Sequence, residues 1–238
     1  NQTLASFDPY ATAGFSVADK LEISSTGASG SNNFTLCGTA RTQAVTIKDL
    51  VISATGVTNF NTTNNASGTC ITNLNITGNI TRTGGTIQSI AGSGATTVTL
   101  NGSTGDQPIS YSGAGAISAS SPINFVVNKT VGTTTVTHTS NFTYPSALTV
   151  TAGTLKTDGT ARTINIAGAL SGAGTIDLST SNAAHVLELV ATTNSIGTFT
   201  PGTGSTVSYK HGSVDQNVIA LNYNSLTFDN FRKILPSG

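Results

Sequence analysis

The feature that most restricts how this chain folds is an internal repeat of short alternating stretches. Ser205-Thr-Val-Ser-Tyr-Lys-His-Gly-Ser-Val-Asp-Gln-Asn-Val-Ile-Ala220 has a counterpart in Thr96-Thr-Val-Thr-Leu-Asn-Gly-Ser-Thr-Gly-Asp-Gln-Pro-Ile109. Val98 aligns with Val207, Leu100 with Tyr209, Asp106-Gln107 with Asp215-Gln216 and Ile109 with Val218, without a gap. The match runs on more loosely: Leu226-Thr-Phe228 stands beside Ile123-Asn-Phe125, and Arg232-Lys233 beside Asn128-Lys129. A third copy reads Phe34-Thr-Leu36, Gln43-Ala-Val45 and Leu50-Val-Ile52. Each copy is apolar-polar-apolar, then turn residues, then a Gln, then another alternating run. Period two is that of a strand with one buried face, and its recurrence marks a repeat architecture.

Further alternating or apolar runs fill the chain. They include Ile71–Ile76, Ile87–Ile90, Ile123–Val127, Thr133–Thr137, Phe142–Tyr144, Leu148–Val150, Ile164–Ile166, Ile176–Leu178 and Val186–Val190. Gly, Ser and Asn separate them and supply the corners. Ala183–Val190 hints at helical spacing, but the alternation Val186-Leu-Glu-Leu189 favours a strand. Strands of three to five residues with a corner every seven to ten are shorter than sandwich strands. They predict an all-β parallel β-helix (β-solenoid), with buried Val, Ile, Leu and Phe stacked coil on coil and Asn or Thr ladders at corners. Tandem β-sandwiches are the alternative. Residues 1–30 are expected as an irregular cap or arm, with Phe15-Ser-Val17 and Leu21-Glu-Ile23 strand-like around a bend at Asp19-Lys20. Residues 31–238 are expected as the solenoid repeats, continuing past Gly238 because the last copy stops partway through its pattern.

Only 8% of the residues are charged, ten basic against ten acidic, so Thr, Ser, Asn and Gly carry the polar surface. No basic patch offers itself to nucleic acid or anionic lipid, and no apolar run approaches a membrane span. A neutral surface suits a protein that is anchored or packed side by side. Cys37 and Cys70 are the only cysteines, and no His precedes His138 to complete a zinc site with them. The reading is a Cys37–Cys70 disulfide rather than two buried thiols, and hence an oxidising, extracellular compartment.

Phe125-Val-Val-Asn-Lys-Thr-Val-Gly-Thr-Thr-Thr-Val136, Ser146-Ala-Leu-Thr-Val-Thr-Ala-Gly-Thr-Leu155 and the Ser205–Tyr209 and Tyr223–Phe228 stretches resemble one another. They also resemble the repeats of large secreted bacterial surface proteins of the Bacteroidetes adhesin type, which form parallel β-helices. The resemblance covers residues 96–238, with a fainter likeness over 1–95. It implies an extracellular adhesive or structural role and carries over no catalytic residues.

Nothing in the sequence assembles catalytic chemistry by proximity. Asp19 and Glu22 are the only acids within a few residues of each other, which argues against local carboxylate pairs for hydrolysis or calcium. Asp106 and Asp215 recur at one repeat position and could meet across coils as in β-helix polysaccharide-degrading enzymes, but turn capping by Asp-Gln is the plainer reading. His138, His185 and His211 are isolated, and the glycines follow no phosphate-binding pattern. No catalytic, cofactor-binding or metal-binding residue is assigned. The expected function is a non-enzymatic structural or adhesive protein of a cell-surface fibre or filament. Its expected partners are other copies of itself, and glycans or cell surfaces. A polysaccharide-binding or polysaccharide-degrading β-helix is the rival, and ice binding through Thr133-Thr-Thr-Val-Thr-His-Thr139 a minor one.

Overall fold

The computed structural model describes residues 14–24, 32–38, 40–53, 58–63, 70–92, 94–103, 105–113, 117–130, 135–229 and 231–237. Its strands are β1 (Gly14–Ile23), β2 (Asn32–Thr35), β3 (Thr42–Ile52), β4 (Thr58–Thr63), β5 (Ile71–Ile76), β6 (Ile80–Arg82), β7 (Thr86–Ser89) and β8 (Thr96–Leu100). They continue with β9 (Asp106–Tyr111), β10 (Ile117–Ala119), β11 (Ile123–Asn128), β12 (Thr135–His138), β13 (Phe142–Tyr144), β14 (Leu148–Ala152), β15 (Thr154–Thr157) and β16 (Thr163–Ile166). The last are β17 (Leu170–Ser171), β18 (Thr175–Asp177), β19 (Val186–Leu189), β20 (Thr198–Thr200), β21 (Thr206–Tyr209), β22 (Gln216–Asn217), β23 (Ser225–Phe228) and β24 (Lys233–Ile234). One 3₁₀ turn, Thr180–Asn182, precedes β19, so the stretch with the helical hint is a strand. Two compact units result: Asn1–Leu100 with Ser110–Asn124, and Asn101–Ile109 with Phe125–Gly238.

In the first unit β1 runs parallel to β3 in two segments. Gly14–Val17 lies against Ala44–Ile47 and Lys20–Ile23 against Asp49–Ile52, with a register shift at the bend read from Asp19-Lys20. On its other side β3 pairs first with β5 and then with β6, and β5 pairs with β8. A separate parallel ladder joins β2, β4, β7 and β10. Each coil therefore contributes three strand segments. In β1 and β3 two of the three run on without a break, so these strands reach ten and eleven residues rather than three to five. Inward positions repeat in register: Val45, Leu74 and Val98 form one buried column, and Ile47, Ile76 and Leu100 the next.

The strand β4 lies outside every alternating run read from the sequence. Its TNFNTT carries one apolar residue, Phe60, and Asn61, Thr62 and Thr63 are nonetheless buried. Asn61 donates to Thr35 Oγ1 (3.2 Å) and accepts from Gln88 Nε2 (2.6 Å), forming a polar side-chain ladder across β2, β4 and β7. Thr72 donates to the Thr62 carbonyl (2.6 Å) and Thr96 to the Thr62 hydroxyl (2.7 Å). The expected Asn and Thr ladder exists, but along strands rather than at corners. The Asn61 amide and the Thr62, Thr72 and Thr96 hydroxyls are stable there because each finds a partner, whereas the buried Thr63 hydroxyl has none among the described residues.

In the second unit the ladders are β11–β14–β17, β9–β12–β15–β18–β20 and β13–β16–β19–β21–β23, with β22–β24 as a short fourth pair. All are parallel, as a β-solenoid requires and tandem antiparallel sandwiches do not. The inward column Phe142, Ile164, Leu187, Val207 and Leu226 advances by 22, 23, 20 and 19 residues per coil. Gly172 shows how closely coils approach: its φ is +116°, and a Cβ there would stand 2.2 Å from the Val150 carbonyl oxygen.

The internal repeat has a structural meaning the sequence did not carry. Asp106-Gln107 opens β9, whereas Asp215-Gln216 lies at β22, on a different ladder. The repeated unit is a strand–corner–strand piece that serves on any pair of successive faces. Its cap is made by the Gln rather than the Asp. Gln107 Oε1 accepts the Gly102 N–H (3.4 Å), and Gln216 Oε1 accepts that of His211 (3.0 Å), five residues back in each copy. Gln216 Nε2 then donates to the carbonyls of Leu189 and Ala191 at 2.8 Å each. The repeated lysine serves the same corners: Lys129 Nζ donates to Gln107 Oε1 (3.3 Å) and Lys233 Nζ to the His211 carbonyl (3.0 Å). Gln43, in the looser copy, is buried too, but its amide has no partner among the described residues.

Cys37, in the corner between β2 and β3, is bonded to Cys70, in the corner between β4 and β5; their Cα atoms are 6.0 Å apart and both residues are buried. The bond clips stacked corners and closes a loop whose ends are 33 residues apart. Replacing both by Ala is expected to lower unfolding free energy by roughly 3–4 kcal/mol in the loop-entropy description, read by denaturant titration. Gln216→Leu removes three hydrogen bonds to the backbone, taking its acceptor from the His211 N–H while the Leu189 and Ala191 carbonyls keep Lys210 and Asn194 as donors, and is expected to cost about 2 kcal/mol; a loss under ~0.5 kcal/mol would mean the corner does not depend on this amide.

Candidate functional site: the outer ladders of the second unit

Because the ladders are in register, outward side chains stack as inward ones do. Along β12–β15–β18–β20 the outward column is Thr135, Thr154, Thr175 and Thr198, extended at one end by Asp106. The neighbouring column is Pro108, Thr137, Lys156, Asp177 and Thr200. Asp106 accepts from the hydroxyls of both Thr135 and Thr137, the latter at 2.7 Å. In the sequence only the Thr133–Thr139 run stood out, of which Thr133 and Thr134 lie outside the described residues. Thr154, Thr175 and Thr198 join it through coil spacings of 19, 21 and 23 residues, too uneven to register as a period.

Along β13–β16–β19–β21–β23 the outward column is Thr143, Asn165, Glu188, Ser208 and Thr227. A shallow groove of ≈ 400 Å³ lies here, lined by Asn141, Phe142, Thr143, Thr163, Asn165 and Glu188. Asn141 Oδ1 accepts the Thr163 N–H (2.9 Å), and Asn165 Nδ2 donates to Glu188 Oε2 (2.8 Å). Lys210 Nζ lies 2.5 Å from Glu188 Oε1. Burial pulls the Glu188 carboxyl upward, but the bonds from Lys210 and Asn165 outweigh it and hold the group below its ordinary value. Glu188 is therefore a committed ion-pair member, and no second carboxylate lines the groove to share acid–base work with it.

Several other ionisable groups are also occupied locally. Asp158 receives two bonds from Arg162, at 2.8 and 2.6 Å, which hold its carboxyl below the usual range. The Arg162 backbone N–H reaches His185 Nδ1 (3.3 Å), whose Nε2 contacts the Thr180 carbonyl (3.0 Å). Asp215 pairs with Arg232, and His211 Nδ1 accepts the N–H groups of Ser213 and Val214. Asp106 and Asp215, matched in sequence, lie on different ladders. Among the described residues no group of three or more His, Cys, Asp or Glu could hold a metal ion, and no helix is long and apolar enough to cross a membrane.

His138 is the exception, a titratable ring sealed in the core. Its Nε2 is 2.8 Å from the Tyr144 hydroxyl, and the rings of Phe142 and Tyr144 lie 5.0 and 5.6 Å away. Burial alone pushes its pKa down to about 3. The folded chain thus holds His138 neutral while the unfolded chain protonates it below about 6.5, so this stability is full above pH 6.5 and is lost as pH falls toward 3. The expected loss is about 2 kcal/mol by pH 5. His138→Phe combined with Tyr144→Phe should flatten that acid limb in denaturant titrations at pH 7, 6 and 5; an unchanged slope would acquit the histidine.

No family model matches this chain, and neither the curated proteins nor the solved structures contain a match to it.

Proposed function

We propose that this protein is an extracellular structural or adhesive element, part of a cell-surface fibre, that makes contacts through its outer ladders and performs no catalysis. The observation that carries this reading is the registered array of uncharged donors and acceptors on the outer strands of the second unit. Hydroxyls and amides repeat there at the strand spacing of about 4.8 Å, and Glu188 among them is tied to Lys210. Such a surface meets a polyhydroxylated partner by many weak, neutral hydrogen bonds. The groove over β13, β16 and β19 offers amide, hydroxyl and carboxylate groups suited to a glycan. A buried disulfide fits an oxidising, extracellular setting.

The threonine column gives the ice-binding reading one specific point in its favour, since four hydroxyls stack in register. Lys156 and Asp177 break the adjoining column and count against it.

The test is retention on a panel of immobilised polysaccharides, with released oligosaccharide assayed in the same samples and thermal hysteresis measured in parallel. Expected are retention without cleavage, weakened about tenfold by Asn165→Ala, the loss of roughly one good hydrogen-bonded contact, and no hysteresis. Release of oligosaccharides would turn the reading toward an enzyme; hysteresis would turn it toward ice.

A further inference from the structure

Two side-chain amides in the groove over β13, β16 and β19 are each fixed in one orientation. Asn141, one residue before β13, uses Oδ1 to accept the Thr163 N–H (2.9 Å). Asn165, on β16, uses Nδ2 to donate to Glu188 Oε2 (2.8 Å). A backbone N–H can only donate and an ionised carboxylate can only accept, so neither amide can be turned end for end. Asn141 is left with Nδ2, a donor, and Asn165 with Oδ1, an acceptor, and both residues line the groove. Neither of these two atoms has a partner among the described residues.

The spacing suits a ligand amide. Phe142 lies opposite Ile164, so Asn141 flanks Thr163, and Asn165 stands two residues further along β16. With strands about 4.8 Å apart and a rise of about 3.3 Å per residue, the two backbones are offset diagonally by roughly 8 Å. A secondary amide with a hydrogen bond of about 2.9 Å at each end bridges an offset of that size, its N–H directed to Asn165 and its carbonyl to Asn141.

The rest of the groove selects among amides. Thr143 and Thr163 place hydroxyls beside the pair, and Ser208 continues the column of Asn165 and Glu188. Among the described lining residues Glu188 alone is charged, and Lys210 neutralises it. Hydroxyls and a neutral floor match sugar rings. An extended peptide would be met by the free backbone of a sheet edge, but β16 is paired on both sides, with β13 and β19.

We propose that this groove binds a neutral polysaccharide built from N-acetylated amino sugars, with one acetamido group held between Asn141 Nδ2 and Asn165 Oδ1. It rests on the glycan-contact reading above and narrows it to one chemical group.

Titration of the full chain with chitin and cellulose oligosaccharides of equal length, which share a backbone linkage and differ in the acetamido group, tests it. The chitin oligomer is expected to bind about tenfold more tightly, the worth of one or two neutral hydrogen bonds. Asn141→Asp keeps the acceptor for the Thr163 N–H but removes the free donor. It is expected to bring the two affinities level while leaving that for the cellulose oligomer unchanged, which also reports an intact fold. Asn165→Ala, which removes the acceptor, should narrow the preference in the same way. Equal wild-type affinities, or a preference that survives both substitutions, would overturn the acetamido assignment and leave the glycan reading standing. Binding of neither oligomer would also overturn it, while retention on the wider polysaccharide panel judges the outer-ladder reading separately. Tighter binding of a blocked neutral peptide than of either oligomer would overturn the choice of a sugar.

Discussion

The structure depends on one constraint: parallel strands hydrogen-bonded in register from coil to coil. Once Phe142 sits beside Ile164, and Ile164 beside Leu187, every other position of those strands is committed too. A one-residue slip would turn the whole column outward, so the register is held by all the apolar residues of a column at once. The same stacking repeats polar residues on the outside, and it produces the threonine column and the Asn165–Glu188 pair without any local sequence signal. The surface thus takes its order from the core.

Stacking also brings polar groups inside, and the chain differs from an oily solenoid in how it satisfies them. Gln107 and Gln216 turn buried corners into hydrogen-bonded ones, each accepting a backbone N–H from five residues earlier. The final described coil uses another device. The Tyr209 hydroxyl meets that of Tyr223 at 2.8 Å and accepts the Ile219 N–H, while Tyr223 donates to the Ile219 carbonyl. That clasp holds the irregular segment at 219–223, where earlier coils place a strand. Buried amides and phenols stand in here for the ladder hydrogen bonds that a regular strand would have made.

Burial along a ladder depends on the coils on either side of it. Buried neighbours such as Tyr209 and exposed ones such as Phe228 differ only in whether a further coil lies above them.

The alternation of apolar residues, the turn residues between runs and the repeated Asp-Gln were enough to read all-β strands, the parallel solenoid and the cysteine pair from the residues alone. They sufficed because period-two burial is a local property, visible in any four or five residues. The strand β4 was not legible: its interior is made of Thr62, Asn61 and their partners Thr35, Thr72, Gln88 and Thr96, which look like loop residues until the coils are stacked. The Asp-Gln corners were legible as a repeat and as turn caps, but that the Gln amide makes the cap was not, since the bonds depend on a turn whose shape the residue types do not state. The ladder each copy joins, the threonine column and the groove at Glu188 were decided only by the tertiary structure. Coil lengths vary from 17 residues between Gln216 and Lys233 to 30 between Leu50 and Ile80, so which residues become neighbours is settled by hydrogen-bonded register, not by distance along the chain.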